Sequence, residues 1–350
     1  VSEPGSSAPA SRMKIMPLHT IVLHAAQSLR RLGALLLGVV CPAFLVLTMT
    51  PTATIGQHVQ PPSALDVAAH TRTVQVGDLA FPVVDYGEGV AVLLLHGFPD
   101  SRYLWRYQVP ALADAGFRVL APDLRGFGDA PKPADVEAYG LSNVIGDLTG
   151  LLDTLGVASA HVVGHDWGGT VAWVFAGQHP ERTRSVTGLT VGAPGAPGRR
   201  TVEQLEKFWY VFFFQNEGPA EEWLRRDDWQ GLRAWTRGEG DLTRYIEDLS
   251  RPGALTAALN WYRANFSAAS LNQTASNAPR ITVPALGISA GRDAYLLEAH
   301  VASSEAMIDG PWRYHPVDDA SHWLMLDRPA EVNRVLTGFL QQVEAANEEP

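Results

Sequence analysis

From Arg72 onward, runs of apolar residues alternate with stretches of helical spacing, and the two periods predict the elements. Thr73 to Val76 and Ala80 to Asp85 read as strands. Val90-Ala91-Val92-Leu93-Leu94-Leu95 is apolar without a break, as expected of a strand buried on both faces. Phe117 to Ala121 predicts the next strand, and Leu141 to Leu155 a helix. A short β-branched stretch around His161-Val162-Val163 then runs through glycines into a helical pattern over Val171 to Gln178. Strands that alternate with helices imply a mostly parallel sheet, whose functional groups gather at the carboxyl ends of the strands.

After Val191 the pattern changes. Gly192-Ala193-Pro194-Gly195-Ala196-Pro197-Gly198 reads as a hinge, and Arg199 to about Asn277 has aromatics at helical spacing and no buried-strand run. Strands resume at Val283 to Ser289 and Trp312 to Val317, with helices from about Leu296 and from Pro329. The expected architecture is therefore an α/β core over residues 54–194 and 280–350, with a helical cap inserted at 195–279.

Residues 1–53 do not fit that core. Arg30-Arg31 precede an almost unbroken apolar run from Leu32 to Met49, and Thr50-Pro51-Thr52-Ala53 supplies small residues suited to cleavage. The segment reads as an export signal with an upstream extension, or as a membrane anchor if it is retained. Export would make the body periplasmic or secreted. The chain's one cysteine, Cys41, lies inside this run, so the body cannot use disulfides or a catalytic thiol. Net charge is −10, and four of the basic residues (Arg12, Lys14, Arg30, Arg31) precede residue 54. The body is thus more acidic still, which argues against nucleic acid or an anionic membrane as partner. Oligomeric state is not legible in the sequence.

The candidate chemistry begins at Gly164-His165-Asp166-Trp167-Gly168. This G-x-D-x-G resembles the nucleophile elbow of the α/β-hydrolase sheet, with Asp166 where serine is usual. A carboxylate that attacks an acyl carbon makes a mixed anhydride, a poor intermediate. Attack on a saturated carbon bearing a strained or departing heteroatom makes an ordinary ester, so Asp166 points to epoxides or alkyl halides. The fold's chain order of nucleophile, acid and histidine selects Asp293 after the strand ending near Ser289, and His322 after the last strand. No carboxylate lies between Val186 and Pro197 to compete with Asp293, and Asp318 and Asp319 read as turn formers.

These motifs, with His96-Gly97-Phe98-Pro99 and Asp123-Leu124-Arg125-Gly126-Phe127-Gly128, make the chain from about residue 70 to its end resemble the α/β-hydrolase epoxide hydrolases. That resemblance implies two cap tyrosines over the nucleophile, for which Tyr210 and Tyr262 fall at the expected places. It also implies that Phe98 and Trp167 supply oxyanion-hole N–H groups, and that the substrate is a small apolar epoxide. Trp209, Phe213 and Trp261 are expected to line its pocket. Neither a metal nor an organic cofactor is implied. Haloalkane dehalogenases share the aspartate nucleophile and are the alternative, with Trp167 and either Trp209 or Trp261 as halide donors.

Overall fold

A computed structural model describes residues 62–197, 201–267 and 278–348. The proposed signal or anchor lies outside them. Eight strands form one sheet in the order β1-β2-β4-β3-β5-β6-β7-β8. They span Thr71–Val76, Leu79–Tyr86, Val90–Leu95, Phe117–Pro122, Ala160–His165, Thr183–Leu189, Ala285–Ala290 and Trp312–Val317. β1 pairs antiparallel with β2, and β2 antiparallel with β4; every other pairing is parallel. The burial of the central strands follows from that arrangement. All six residues of β5 and of β7 are buried, as parallel strands covered on both faces must be.

Helices α1 (Gln108–Asp114), α2 (Leu141–Thr154) and α3 (Trp167–Gln178) follow β3, β4 and β5. The second, predicted to reach Leu155, ends one residue earlier. α3 is apolar around most of its circumference, and nine of its residues are buried, including Val171, Trp173 and Phe175. A helix that is apolar all round belongs inside a core, and this one carries the turn after Asp166.

Within 201–267 the described residues are helical: α4 (Val202–Lys207), α5 (Trp209–Phe213), α6 (Pro219–Trp235), α7 (Leu242–Leu249) and α8 (Ala254–Asn265). The remaining helices are α9 (Glu298–Ala302), α10 (Leu324–Asp327) and α11 (Pro329–Glu348). α9 begins at Glu298, two residues after the expected Leu296, because Asp293 holds the intervening turn. Its Oδ1 accepts the Tyr295 and Leu296 N–H groups at 2.7 and 3.0 Å. Among the described residues, no helix is long and apolar enough to cross a membrane.

The parallel register brings the strand ends level. Leu95 lies opposite Gly164, and Ala290 opposite Val317. The loops that leave those ends are laced to one another: Gly291 N–H donates to Val317 O and Arg292 N–H to Ala320 O. Asp293 and His322 therefore emerge side by side although 29 residues separate them.

Candidate active site

Asp166 leaves β5 with φ 52° and ψ −122°, outside the regions that a side chain with a Cβ prefers. The surroundings enforce this turn. A Cβ at Gly164 would meet Gly168 O at 2.0 Å, so only glycine lets strand and helix approach so closely. The sharp turn projects the carboxylate beyond the strand ends, where two loops receive it. The Phe98 N–H donates to Asp166 Oδ1 at 2.9 Å, and the Trp167 N–H also donates to the carboxylate. Gly97 makes room for this contact, since a Cβ there would stand 2.3 Å from Oδ1.

The second carboxylate oxygen faces the histidine. His322 Nε2 is 3.7 Å from Asp166 Oδ2, and His322 Nδ1–H donates to Asp293 Oδ2 at 2.8 Å. Burial opposes charge on the imidazole, but the Asp293 charge and the hydrogen bonds and charge of Asp166 prevail and push its pKa up to about 10. Burial likewise raises Asp166, and here His322 and the backbone donors outweigh it and hold the carboxyl below its ordinary value. The resting site is thus a carboxylate and an imidazolium.

His165, beside the nucleophile, is fully buried. Its Nε2–H donates to His322 O at 2.9 Å, and the two rings lie 4.5 Å apart, so it braces the histidine's own loop. Burial keeps His165 neutral, with its pKa pulled down to about 3. His96 ties the loop after β3 to the loop after β4. Its Nδ1–H donates to Gly97 O and its Nε2 accepts the Leu124 N–H, each at 3.0 Å.

The pocket above Asp166 has Tyr210 and Tyr262 in its wall, with ring centroids 5.9 Å apart. Tyr262 is buried, and burial first, then the Asp166 charge, raises its pKa well above the ordinary value. It keeps its proton throughout the working range. Trp167 packs edge-on against Tyr262, with ring centroids 5.2 Å apart, so the phenol is held between the nucleophile's own neighbour and the cap. Val191, Phe208, Val211, Phe266 and Leu296 make the rest of the wall apolar, with Thr170 and His300 as polar exceptions.

Trp209, Phe213 and Trp261, expected in the pocket, are not in its wall. Trp209 is 48% exposed and packs with Phe213 and Trp223 on the outside of the cap. Trp261 is fully buried, and its indole N–H donates to Arg125 O at 2.8 Å, so it anchors the cap to the loop after β4. Sequence reasoning missed Phe208 and Val211, which flank Tyr210 and could have been found by placing that tyrosine on the inner face of its helix. It also missed Tyr295, Trp235 and Asp100. Tyr295 packs 5.0 Å from His322 and donates its hydroxyl to Trp235 O, and Trp235 in turn lies 5.2 Å from Phe98. Asp100 accepts the indole N–H of Trp323, the residue after His322, at 2.9 Å, and burial lifts its pKa to about 7.

Among the described residues no group of three or more His, Cys, Asp or Glu is arranged to hold a metal ion. A mostly parallel eight-stranded sheet, with an aspartate at the elbow after β5 and an acid and a histidine after β7 and β8, defines an α/β-hydrolase. The model of the alpha/beta hydrolase fold family matches residues 90–329, and the chain belongs to that family.

Within it, the chain belongs to the epoxide hydrolases. It is 36% identical over 318 residues to "Epoxide hydrolase A" of Mycobacterium tuberculosis (strain ATCC 25618 / H37Rv), covering 78% of this chain and 98% of that one. It is 33% identical to "Bifunctional epoxide hydrolase 2" of Sus scrofa, over 80% of this chain but only 57% of that longer protein. The crystal structure of Epoxide Hydrolase A from Mycobacterium thermoresistibile superposes with a TM-score of 0.67 at 32% identity, covering 77% of this chain and 98% of that one.

Proposed function

We propose that this protein hydrolyses an apolar epoxide to a vicinal diol through an ester on Asp166. One observation carries the reading: the two oxygens of the Asp166 carboxylate have different environments. Oδ1 is held by the Phe98 N–H, while Oδ2 stands below the phenol-lined pocket and 3.7 Å from His322 Nε2. In the first half-reaction Oδ2 attacks an oxirane carbon, the C–O bond breaks, and the departing oxygen takes a proton from Tyr210 or Tyr262. An alkoxide is a poor leaving group at neutral pH, so the phenols supply what the ring strain alone does not. The phenolate left behind is reprotonated at the expense of the His322 imidazolium, whose pKa falls once the Asp166 charge is gone. In the second half-reaction the neutral His322 removes a proton from water, which adds to the ester carbonyl. The negative charge then develops on Oδ1, which the Phe98 N–H already holds, with the Trp167 N–H beside the same carboxylate. Collapse of that intermediate breaks the ester C–O bond, the leaving oxygen takes its proton from the His322 imidazolium to complete the diol, and the acid formed at Asp166 returns its proton to His322, which restores the carboxylate and imidazolium.

The apolar wall supports an epoxide without an obligatory charged group. The relatives' names, epoxide hydrolases in each case, support the same chemistry. The dehalogenase alternative needs indole N–H groups turned toward a halide. The Trp261 N–H is taken by Arg125 O and Trp209 lies outside the pocket, so neither is placed to act as the second halide donor beside Trp167. We also propose that the Arg30-Arg31 segment directs export, and that the acidic body has no nucleic-acid partner. The test of the activity is a panel of aryl and alkyl epoxides beside bromoalkanes, with diol and halide release measured separately. Halide release without diol formation would overturn the reading.

A further inference from the structure

The two phenols sit on separate helices, and α5, which carries Tyr210, has only five residues. So short a helix cannot fix its own orientation, since one turn barely repays its nucleation. Its position has to come from bonds to its neighbours, and the structure supplies two sets that run between the tyrosine-bearing segments. The Gln215 carboxamide donates to Val211 O, the residue after Tyr210, and to Tyr262 O, each at 3.1 Å. Arg263, the residue after Tyr262, reaches the other way: its Nε–H donates at 3.0 Å to Phe214 O, whose own N–H bonds to Tyr210 O at 2.8 Å.

The guanidinium is itself held. Arg263 donates to Asn260 Oδ1 at 2.9 Å, and it pairs with Glu221 Oε1 and Oε2 at 2.9 and 3.0 Å. Both side chains are almost wholly buried, at 6% and 4% exposed. Gly218 N–H donates to Glu221 Oε2 at 2.9 Å, which ties the start of α6 to the same point. Burial raises the Glu221 pKa, but Arg263 and the backbone donors overcome this and keep it ionised. None of the three charged or amide side chains lies in the pocket wall.

We propose that Gln215 and the Arg263–Glu221 pair are positioning residues that fix the separation of the Tyr210 and Tyr262 hydroxyls, and so set the rate of epoxide opening without acting in ester hydrolysis. The inference rests on the reading of the two phenols as proton donors to the epoxide oxygen. Its kinetic signature is a split. The phenols act while the C–O bond breaks, whereas water attack on the ester depends on His322, Asp293 and the Phe98 N–H, to which these residues make no bond. Two donors aimed at one oxygen tolerate little displacement, because misplacement of about 1 Å can cost a hundredfold.

The experiment is single-turnover kinetics with styrene oxide, following tryptophan fluorescence for ester formation and acid-quenched diol for its breakdown. The variants are Gln215→Met, which keeps the length but loses both donors, and the charge-neutral double variant Glu221→Gln/Arg263→Met, which avoids stranding a buried charge. Ester formation should slow at least tenfold in each, with ester breakdown within twofold of the parent. Unchanged ester formation in both variants, or equal slowing of both steps, would overturn the positioning role. Tyr210→Phe and Tyr262→Phe measured alongside separate this from the underlying reading. If those two open the epoxide at the parent rate, the phenols are not the donors and the inference falls with them. If they are slow while Gln215→Met and the double variant are not, only the positioning role fails.

Discussion

Removal of both phenolic hydroxyls tests the reading most directly, because it leaves the ring packing in place and takes away only the proposed acid. Tyr210 and Tyr262 are 4% and 3% exposed, so water cannot readily replace a lost donor. One preorganised donor to a developing oxyanion is worth about 2.7–4 kcal/mol, or roughly a hundred- to a thousandfold in rate. Each single Tyr→Phe variant should therefore slow ester formation by about that factor, with the second phenol still able to give the proton. The double variant should lose more than either single, on the order of ten-thousandfold, since the effects of groups acting on one oxygen need not add. Ester breakdown should be unaffected. Because both rings are buried, denaturant unfolding must be followed in parallel. Rapid-quench measurement of ester formation gives the rate. A double variant that opens an epoxide as fast as the parent would refute the assignment of the phenols, whatever happened to its stability.

Three further outcomes follow from the same geometry. A single turnover in heavy-oxygen water should place label in the Asp166 carboxyl group; label confined to the diol would mean direct attack by water on the substrate. His322→Gln should accumulate the ester, detectable by intact-protein mass, and rapid steady-state turnover by this variant would remove His322 from the mechanism. Away from the site, burial pulls the fully buried His161 down to a pKa of about 4, where it bonds to Ser185 and Glu344. A depressed histidine stabilises the fold above its unfolded pKa of about 6.5 and loses that contribution as pH falls toward 4, up to about 3 kcal/mol. Urea titrations should then show the stability gap between the parent and His161→Gln narrowing from pH 7 to pH 4.5; a constant gap would contradict the neutral buried state.

The triad was legible because its positions are dictated by strand ends. β5 and β7 are buried throughout, β8 is an edge strand in which only Val317 is buried, and whatever follows each of the three arrives at the same edge of the sheet. Asp166, Asp293 and His322 needed only that rule. The cap offered no such constraint. In Phe208-Trp209-Tyr210-Val211-Phe212-Phe213-Phe214 almost every position is apolar, so periodicity cannot say which face of the helix is inside. Tyr210 and Phe214, four apart, form the inner face. Trp209 and Phe213, also four apart, pack with Trp223 on the outer one. The same ambiguity between neighbours separates Trp261, which anchors the cap, from Tyr262, which faces the pocket. The donors that tie α5 to α8 were illegible for another reason: a glutamine or arginine that bonds to carbonyls some 49 residues away in sequence leaves no local pattern.

On the proposed mechanism the charge state of His322 would order the two half-reactions, and this too can be measured. An imidazolium cannot take a proton from water, and in the resting site the charges of Asp293 and Asp166 keep His322 protonated up to a pKa of about 10. Ester formation converts Asp166 from an anion to a neutral group and removes one of those two supports, while the burial that opposes the imidazolium persists. The pKa must then fall, and the base is released only when there is an ester for it to attack. Asp166→Asn mimics the esterified state, since an amide has the shape of the carboxyl without its charge. Titration of His322 by NMR should show its pKa below the parent's by more than one unit. In the parent the rate of ester breakdown should rise with pH through this lowered value and level off above it. An Asp166→Asn protein in which His322 titrates where it does in the parent would show that Asp293 alone holds the proton, and the ordering would need another cause.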